Sequence, residues 1–245
     1  LEIAQAVDEV GGEFNAFTSR EYTCYHILML SKDVELATDV MLDVMLNSKF
    51  DQEEIERERK VILQEISMIE DNPEELIHDY FFEQAFGTHT LGKPILGSRR
   101  TVERFKREEI YSFFQKHYQP NDIIFSVAGN VKHDKVRRLL NRKLKDAFVH
   151  KKTNQRKPNF SKPKIKLSRK FYNRELEQSH IVLGYPGLSY DHPDRFSAFL
   201  LNIYLGGGMS SSLFQEIREK RGLAYTVYSQ LAPFSDCGLF SVYVA

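Results

Sequence analysis

Apolar residues at Leu1, Ile3, Ala4, Ala6, Val7 and Val10 form a helical stripe. Gly11-Gly12 follows it, and glycine accepts the left-handed conformation in which helices commonly end. Glu13–Ser19 and Tyr22–Leu30 read as two strands of a hairpin, joined through Arg20-Glu21. The second is rich in aromatic and β-branched types (Tyr22, Thr23, Tyr25, Ile27). Ser31 is placed to cap a helix to about Asn47, with Val34, Ala37, Val40, Met41, Val44 and Met45 on its inner side. Asp51-Gln52-Glu53-Glu54 has the spacing of a capping box and opens a long helix to about Glu70. Asn72-Pro73-Glu74-Glu75 starts another, with proline at its first position and acids in its first turn, and Gly87 ends it. After a loop over Thr88–Gly97, the pattern predicts a helix over Thr101–Tyr118, an apolar strand over Asp122–Ala128 and an amphipathic helix over Lys132–Phe148.

Lys151–Lys170 breaks this rhythm. It holds nine basic residues, no acidic ones, and Pro158 and Pro163, so it reads as a linker. Beyond it the pattern gives a strand (Gln178–Tyr185), a helix (His192–Leu205), a glycine-serine turn (Gly206–Ser212), a short helix (Leu213–Lys220) and two strands (Leu223–Leu231, Gly238–Ala245). This order echoes part of the first stretch. The prediction is an α+β protein of two layered domains, residues 1–150 and 171–245, whose antiparallel-rich sheets pack against helices.

Composition narrows the function classes. Hydrophobic residues make up 42% of the 245 and charged residues 28%, a globular balance. Lys+Arg and Asp+Glu both number 34, so the net charge is zero, which argues against a dedicated nucleic-acid or membrane-surface protein. No apolar run approaches the ~18–20 residues of a membrane span. Cys24 and Cys237 stand far apart, in no metal-ligand spacing, which excludes a disulfide framework and fits a reducing compartment. The basic linker has Phe160 as its only aromatic residue and reads as a solvated connector; nucleic acid is not an expected partner. Gly206-Gly207-Gly208 lacks the Lys-Ser/Thr of a phosphate loop and reads as a turn. His26 is given no role. Both ends of the sequence read as cut: it opens in helix at Leu1 and closes in strand pattern at Ala245.

The helix beginning at Gln52 carries the candidate chemistry. With Ile55 at zero and about 100° per residue, Ile62, Ile66, Ile69 and Val61 define an apolar arc from about −120° to +20°. Glu58 and Glu65 fall at about −60° and −80°, within that arc and seven residues apart. A buried carboxylate is costly unless it is paired or bound to a cation. Periodicity leaves two readings open: an extended solvated face with Arg57, Arg59 and Lys60 nearby, or a metal or acid/base site.

A resemblance chooses between them. Glu54-Ile55-Glu56-Arg57 followed by Glu58-Arg59-Lys60-Val61-Ile62-Leu63-Gln64-Glu65 resembles the distal-ligand helix of the pitrilysin/insulinase (M16) zinc metallopeptidases, which include mitochondrial and bacterial processing-peptidase-like enzymes. Gly11-Gly12-Glu13-Phe14-Asn15-Ala16-Phe17-Thr18-Ser19-Arg20-Glu21 resembles that family's edge-strand segment. Leu91–Gly97 resembles its loop, and Gly206–Phe214 with Arg218–Tyr225 resembles the start of its second domain. The resemblance implies a zinc endopeptidase acting on peptides or unfolded segments in a chamber between two homologous halves. Zinc is then held by two histidines of an H-x-x-E-H helix and one distal glutamate. The distal ligand maps onto Glu65, and Glu58 maps onto a second acidic position that supports the catalytic site. Peptide would add as a strand along Phe14–Thr18, with Asn15, Ala16 and Phe17 offering the contacts. Arg218 and Tyr225 match residues that bind the substrate carbonyl and stabilise the oxyanion.

The sequence departs from the family at one point. Its eight histidines are His26, His78, His89, His117, His133, His150, His180 and His192, and no two are four apart, so H-x-x-E-H is absent. The expectation is a fragment whose first domain lacks its first strand and motif helix and whose second domain is incomplete. The two histidine ligands would lie upstream of Leu1. The rival expectation is a non-catalytic member, a structural or substrate-holding subunit. Homodimer and heterodimer both stay open as partners. The implied compartment is the bacterial cytoplasm, or the mitochondrial matrix for a eukaryotic protein.

Overall fold

The computed structural model describes residues 2–119, 122–147 and 163–245. Helices and antiparallel strands occur together, as the α+β pattern predicts, and they gather into two compact units that are each discontinuous in sequence: Leu1–Val61 with Arg100–Pro158, and Ile62–Arg99 with Asn159–Ala245.

In the first unit, α1 (Glu2–Asp8) ends at Gly11, which takes φ +67°, and feeds the hairpin β1 (Glu13–Thr18) and β2 (Thr23–Leu28). The strands pair antiparallel from Glu13↔Leu28 to Thr18↔Thr23. Ser31–Asp33 forms a single 3₁₀ turn ahead of α2 (Val34–Leu46), so the α-helix starts two residues later than a Ser31 cap predicts. Val34 of α2 packs with Val136 and Leu139 of α7 (His133–Ala147), numbered after α3 to α6 below. The Tyr25 and Tyr118 hydroxyls meet at 2.7 Å.

α3 (Gln52–Asp71) runs through the boundary between the units. α4 (Pro73–Phe86) opens as the sequence indicates: Asn72 Oδ1 accepts from the Glu74 and Glu75 amides, satisfying two of the donors that every helix start leaves free. The single helix predicted over Thr101–Tyr118 is two, α5 (Arg99–Val102) and α6 (Arg107–His117). The break forms because the Lys106 amide turns to donate to Glu109 Oε2 at 2.9 Å and starts a new helix. The Pro120 stop lies outside the described residues. The strand predicted over Asp122–Ala128 does not form a ladder. Residues 123–128 have no strand neighbour among the described residues and Ile124 is 92% exposed, and an apolar run becomes a strand only when a partner takes up its backbone groups.

The second unit is built on a three-stranded antiparallel sheet, β3 (Ile181–Pro186), β5 (Gly238–Val244) and β4 (Val227–Pro233), with β5 in the centre. Leu239, Ser241 and Tyr243 of β5 are buried, two residues apart as the pleat requires. Phe82, Ala85 and Phe86 of α4 and Leu91 share one core with Phe234, Cys237 and Leu239. Two glycines set how closely the layers meet. A Cβ at Gly184 would lie 2.0 Å from the Phe81 ring, and a Cβ at Gly206 would lie 2.1 Å from the Ser229 backbone nitrogen. These sites bring α4 onto β3 and α8 (Arg195–Gly206) onto β4. Most of the predicted linker, residues 151–162, lies outside the described residues.

Candidate functional site

On α3 the structure corrects the predicted burial of the two carboxylates. Ile66 is buried, while Ile55, Ile62 and Ile69 are half-buried. Val61, at the far edge of the predicted arc, is 47% exposed, so the covered stripe is narrower and Glu58 and Glu65 both stand exposed beside it. Neither has an ion-pair or hydrogen-bond partner among the described residues. The nearby arginines are engaged elsewhere. Arg57 pairs with Glu54 at 2.7 Å and Arg59 with Glu56 at 3.0 Å. Arg59 also donates to the carbonyls of Val102 and Phe105. The Arg59 guanidinium holds the Glu56 carboxyl below its usual range. The two arginines that could have neutralised Glu58 are thus taken up by its neighbours.

β1 pairs with β2 on one side and has no strand on its other edge among the described residues. The Ser19 amide donates across the turn to the Tyr22 carbonyl, so by strand alternation the Ala16 amide faces the open edge. There the Asn15 side chain holds it, Oδ1 accepting from Ala16 N–H at 2.8 Å. Phe17 is half exposed and lies edge-on to Tyr22 at 6.0 Å.

Arg218 and Tyr225 are brought together, though Gly222 breaks the helix between them. Arg218 lies on a π-helix, Phe214–Glu219, confirmed by the Lys220 amide donating five residues back to Gln215. Gly222 adopts φ +57° and reverses the chain, with the Gly222 and Leu223 amides donating to Arg218 and Ile217. The Tyr225 and Thr226 amides are then fixed to the Ala245 carbonyl. The Arg218 guanidinium carbon comes to rest 4.5 Å from the Tyr225 ring centre and 4.8 Å from that of Phe214. Its contact to Glu219 is long, 3.9 Å. Phe214 was not singled out by the sequence reading, although its position four residues before Arg218 was a usable signal.

The sequence reading also missed a half-buried polar chain under α4. Gln230 Nε2 can only donate, so His78 Nδ1, 3.2 Å away, is the acceptor. The His78 proton therefore sits on Nε2 and is donated to the Tyr228 hydroxyl at 2.9 Å, which in turn donates to Glu74 Oε1 at 3.2 Å. The Tyr243 ring stacks on Tyr228, and its hydroxyl meets His180 Nδ1 at 2.7 Å. Burial lowers the His78 pKa against the opposing charges of Glu74 and Asp79. Burial, aided by Glu74, raises Tyr228 and pushes Tyr243 up to about 12.

A cleft of about 530 Å³ between α2, α6 and α7, lined in part by Asp39, Tyr111, Phe114 and Lys143, contains none of the predicted site residues. Among the described residues no three His, Cys, Asp or Glu side chains gather as a metal-binding group, and no helix is long and apolar enough to cross a membrane.

A family profile described as insulinase (peptidase family M16) matches residues 1–99, and one described as peptidase M16 inactive domain matches residues 104–245. A Streptomyces coelicolor protein named an uncharacterized zinc protease is 43% identical over 99% of this chain and 54% of its own length. A Mycobacterium leprae protein of the same description is 42% identical over 100% of this chain and 55% of its own. The chain thus spans about half the length of these relatives. The crystal structure of a protease from Helicobacter pylori superposes with a TM-score of 0.86 at 23% identity, over 99% of this chain and 60% of that one, a likeness of fold.

Proposed function

Since this chain belongs to the M16 peptidase family, we propose that it is part of a zinc-dependent endopeptidase acting on peptides or unfolded segments. The observation that carries the reading is the contact between Arg218 and Tyr225. The family resemblance gives these two residues one joint task, and the turn at Gly222 brings them side by side with the tyrosine ring 70% exposed.

In this reading a peptide adds to the open edge of β1, and Asn15 yields the Ala16 amide to it. Arg218 and Tyr225 donate to the scissile carbonyl oxygen, where charge builds up as the tetrahedral intermediate forms. Glu65 is an exposed, unpaired carboxylate and suits a single metal ligand. The residues present do not complete a zinc site: this sequence lacks H-x-x-E-H, and among the described residues no group of three His, Cys, Asp or Glu side chains forms around Glu65. In this reading the two histidines and the general base would come from polypeptide outside these residues. Zinc, once bound, would supply an activated water. Glu58 acts as a supporting carboxylate about two helical turns from Glu65 on the same stripe.

The alternative is a non-catalytic member that acts as a structural or substrate-holding partner subunit. The two readings part in one experiment. In the full-length protein, Glu65→Gln is expected to abolish both zinc retention and peptide hydrolysis, measured by metal analysis and a quenched-peptide assay. Zinc held near one equivalent with normal turnover in that variant would refute the ligand assignment. A wild-type protein that neither binds zinc nor cleaves peptide would establish the non-catalytic reading.

A further inference from the structure

We propose that Phe214 is a positioning residue: its ring holds the Arg218 guanidinium over Tyr225, so that arginine and tyrosine form one pre-set pair facing a substrate carbonyl. The inference rests on the peptidase reading above and deepens it.

Three observations carry it. First, Arg218 lies over both rings, 4.8 Å from Phe214 and 4.5 Å from Tyr225, within the range where the negative face of an aromatic ring attracts a guanidinium. Second, its one ion-pair contact, to Glu219, is 3.9 Å, too long for a hydrogen bond, so ring contacts rather than a carboxylate hold the cation. A ring covers the flat of the guanidinium and leaves its N–H edge free to donate, whereas a bidentate carboxylate would occupy that edge. Third, the backbone on either side is fixed. Phe214 and Arg218 share the π-helix, a rare geometry frequent at functional sites, and Tyr225 is tied to the end of β5 by the Ala245 carbonyl.

Physically, an arginine that must reach an oxyanion is useful only if it is already in place. A free arginine side chain loses rotamer freedom when it binds, and that loss is subtracted from transition-state stabilisation. Phe214 makes the loss in the folded protein, before substrate arrives. Its effect should therefore appear in kcat more than in KM, because the guanidinium is called on most strongly as charge develops.

The test uses the full-length protein and an unstructured quenched peptide. Phe214→Leu keeps apolar bulk and removes the ring; kcat is expected to fall roughly fivefold with KM within about twofold. Phe214→Trp restores an aromatic face and is expected to recover most of that loss. These 245 residues contain no other tryptophan, and the difference in emission between this variant and the wild type isolates the new indole. Adding Arg218→Ala should change its emission if the guanidinium sits against it. Unchanged kcat in Phe214→Leu overturns the proposal while leaving the peptidase reading intact. So does a Trp variant that is folded by circular dichroism yet as slow as the Leu variant, or an indole emission indifferent to Arg218. A wild-type protein that cleaves no peptide removes the peptidase reading and the role of Phe214 with it.

Discussion

Tyr225 and Glu65 are legible as candidates only through the family pattern; their surroundings are not. Helical spacing places Glu58 and Glu65 on one stripe, and that much is arithmetic. Whether the stripe is covered depends on what packs against Val61, and in the structure Val61 stays about half exposed, with both carboxylates exposed beside it. For Tyr225 the spacing misleads in the other direction. Seven residues from Arg218, across a glycine, give no reason for contact, yet the left-handed turn at Gly222 creates one. If the hydroxyl donates to the oxyanion, Tyr225→Phe is expected to lower kcat by roughly 10² while leaving the melting temperature unchanged, as removing one such donor does elsewhere. The phenol is exposed and its ring contact survives the substitution, so no fold term should appear. Unaltered kinetics would remove Tyr225 from the oxyanion role.

Among the elements, ends are better read than interiors. Asn72, Pro73 and Gly87 delimit α4 as local capping rules predict, because caps are settled by groups within one helical turn. What lies beneath α4 was not legible: His78, Gln230, Tyr228 and Glu74 come from positions about 150 residues apart and meet only on the sheet. This chain gives a pH signature. A histidine whose folded pKa is lowered leaves the unfolded state holding more protons between the two values, so stability rises with pH through that window. The His78 contribution is full above about pH 6.5, where the unfolded imidazole is neutral, and is lost as pH falls through the lower folded value. Protonation also places a second N–H at Nδ1, facing the Gln230 amide donor. Urea melts at pH 5 and 7 should therefore show a larger loss on acidification in wild type than in His78→Gln, with Glu74 and Asp79 moderating the difference. Equal losses would exclude His78 as the titrating group.

At the scale of the whole chain, the sequence pattern suggests breaks at residues 150 and 170, whereas the compact units interleave. Phe82, Ala85, Phe86 and Leu91 precede the predicted linker, and Phe234, Cys237 and Leu239 follow it, yet they form one core. A polypeptide of residues 171–245 alone would expose the underside of that sheet. It is expected to lack dispersed amide resonances and a cooperative thermal transition; a folded spectrum would show that α4 is dispensable. Local chemistry was sufficient to specify the hairpin, the ends of α4, the α+β class and the M16 resemblance, since each depends on residues within a turn or two of one another or on a linear motif. Packing over long sequence separations settled the rest. It decided which face of α3 stays open, which helix covers the sheet, where Asp122–Ala128 fails to find a strand partner, and that Arg218 rests against two aromatic rings. Those outcomes depend on which surfaces meet, and a one-dimensional pattern does not contain that information.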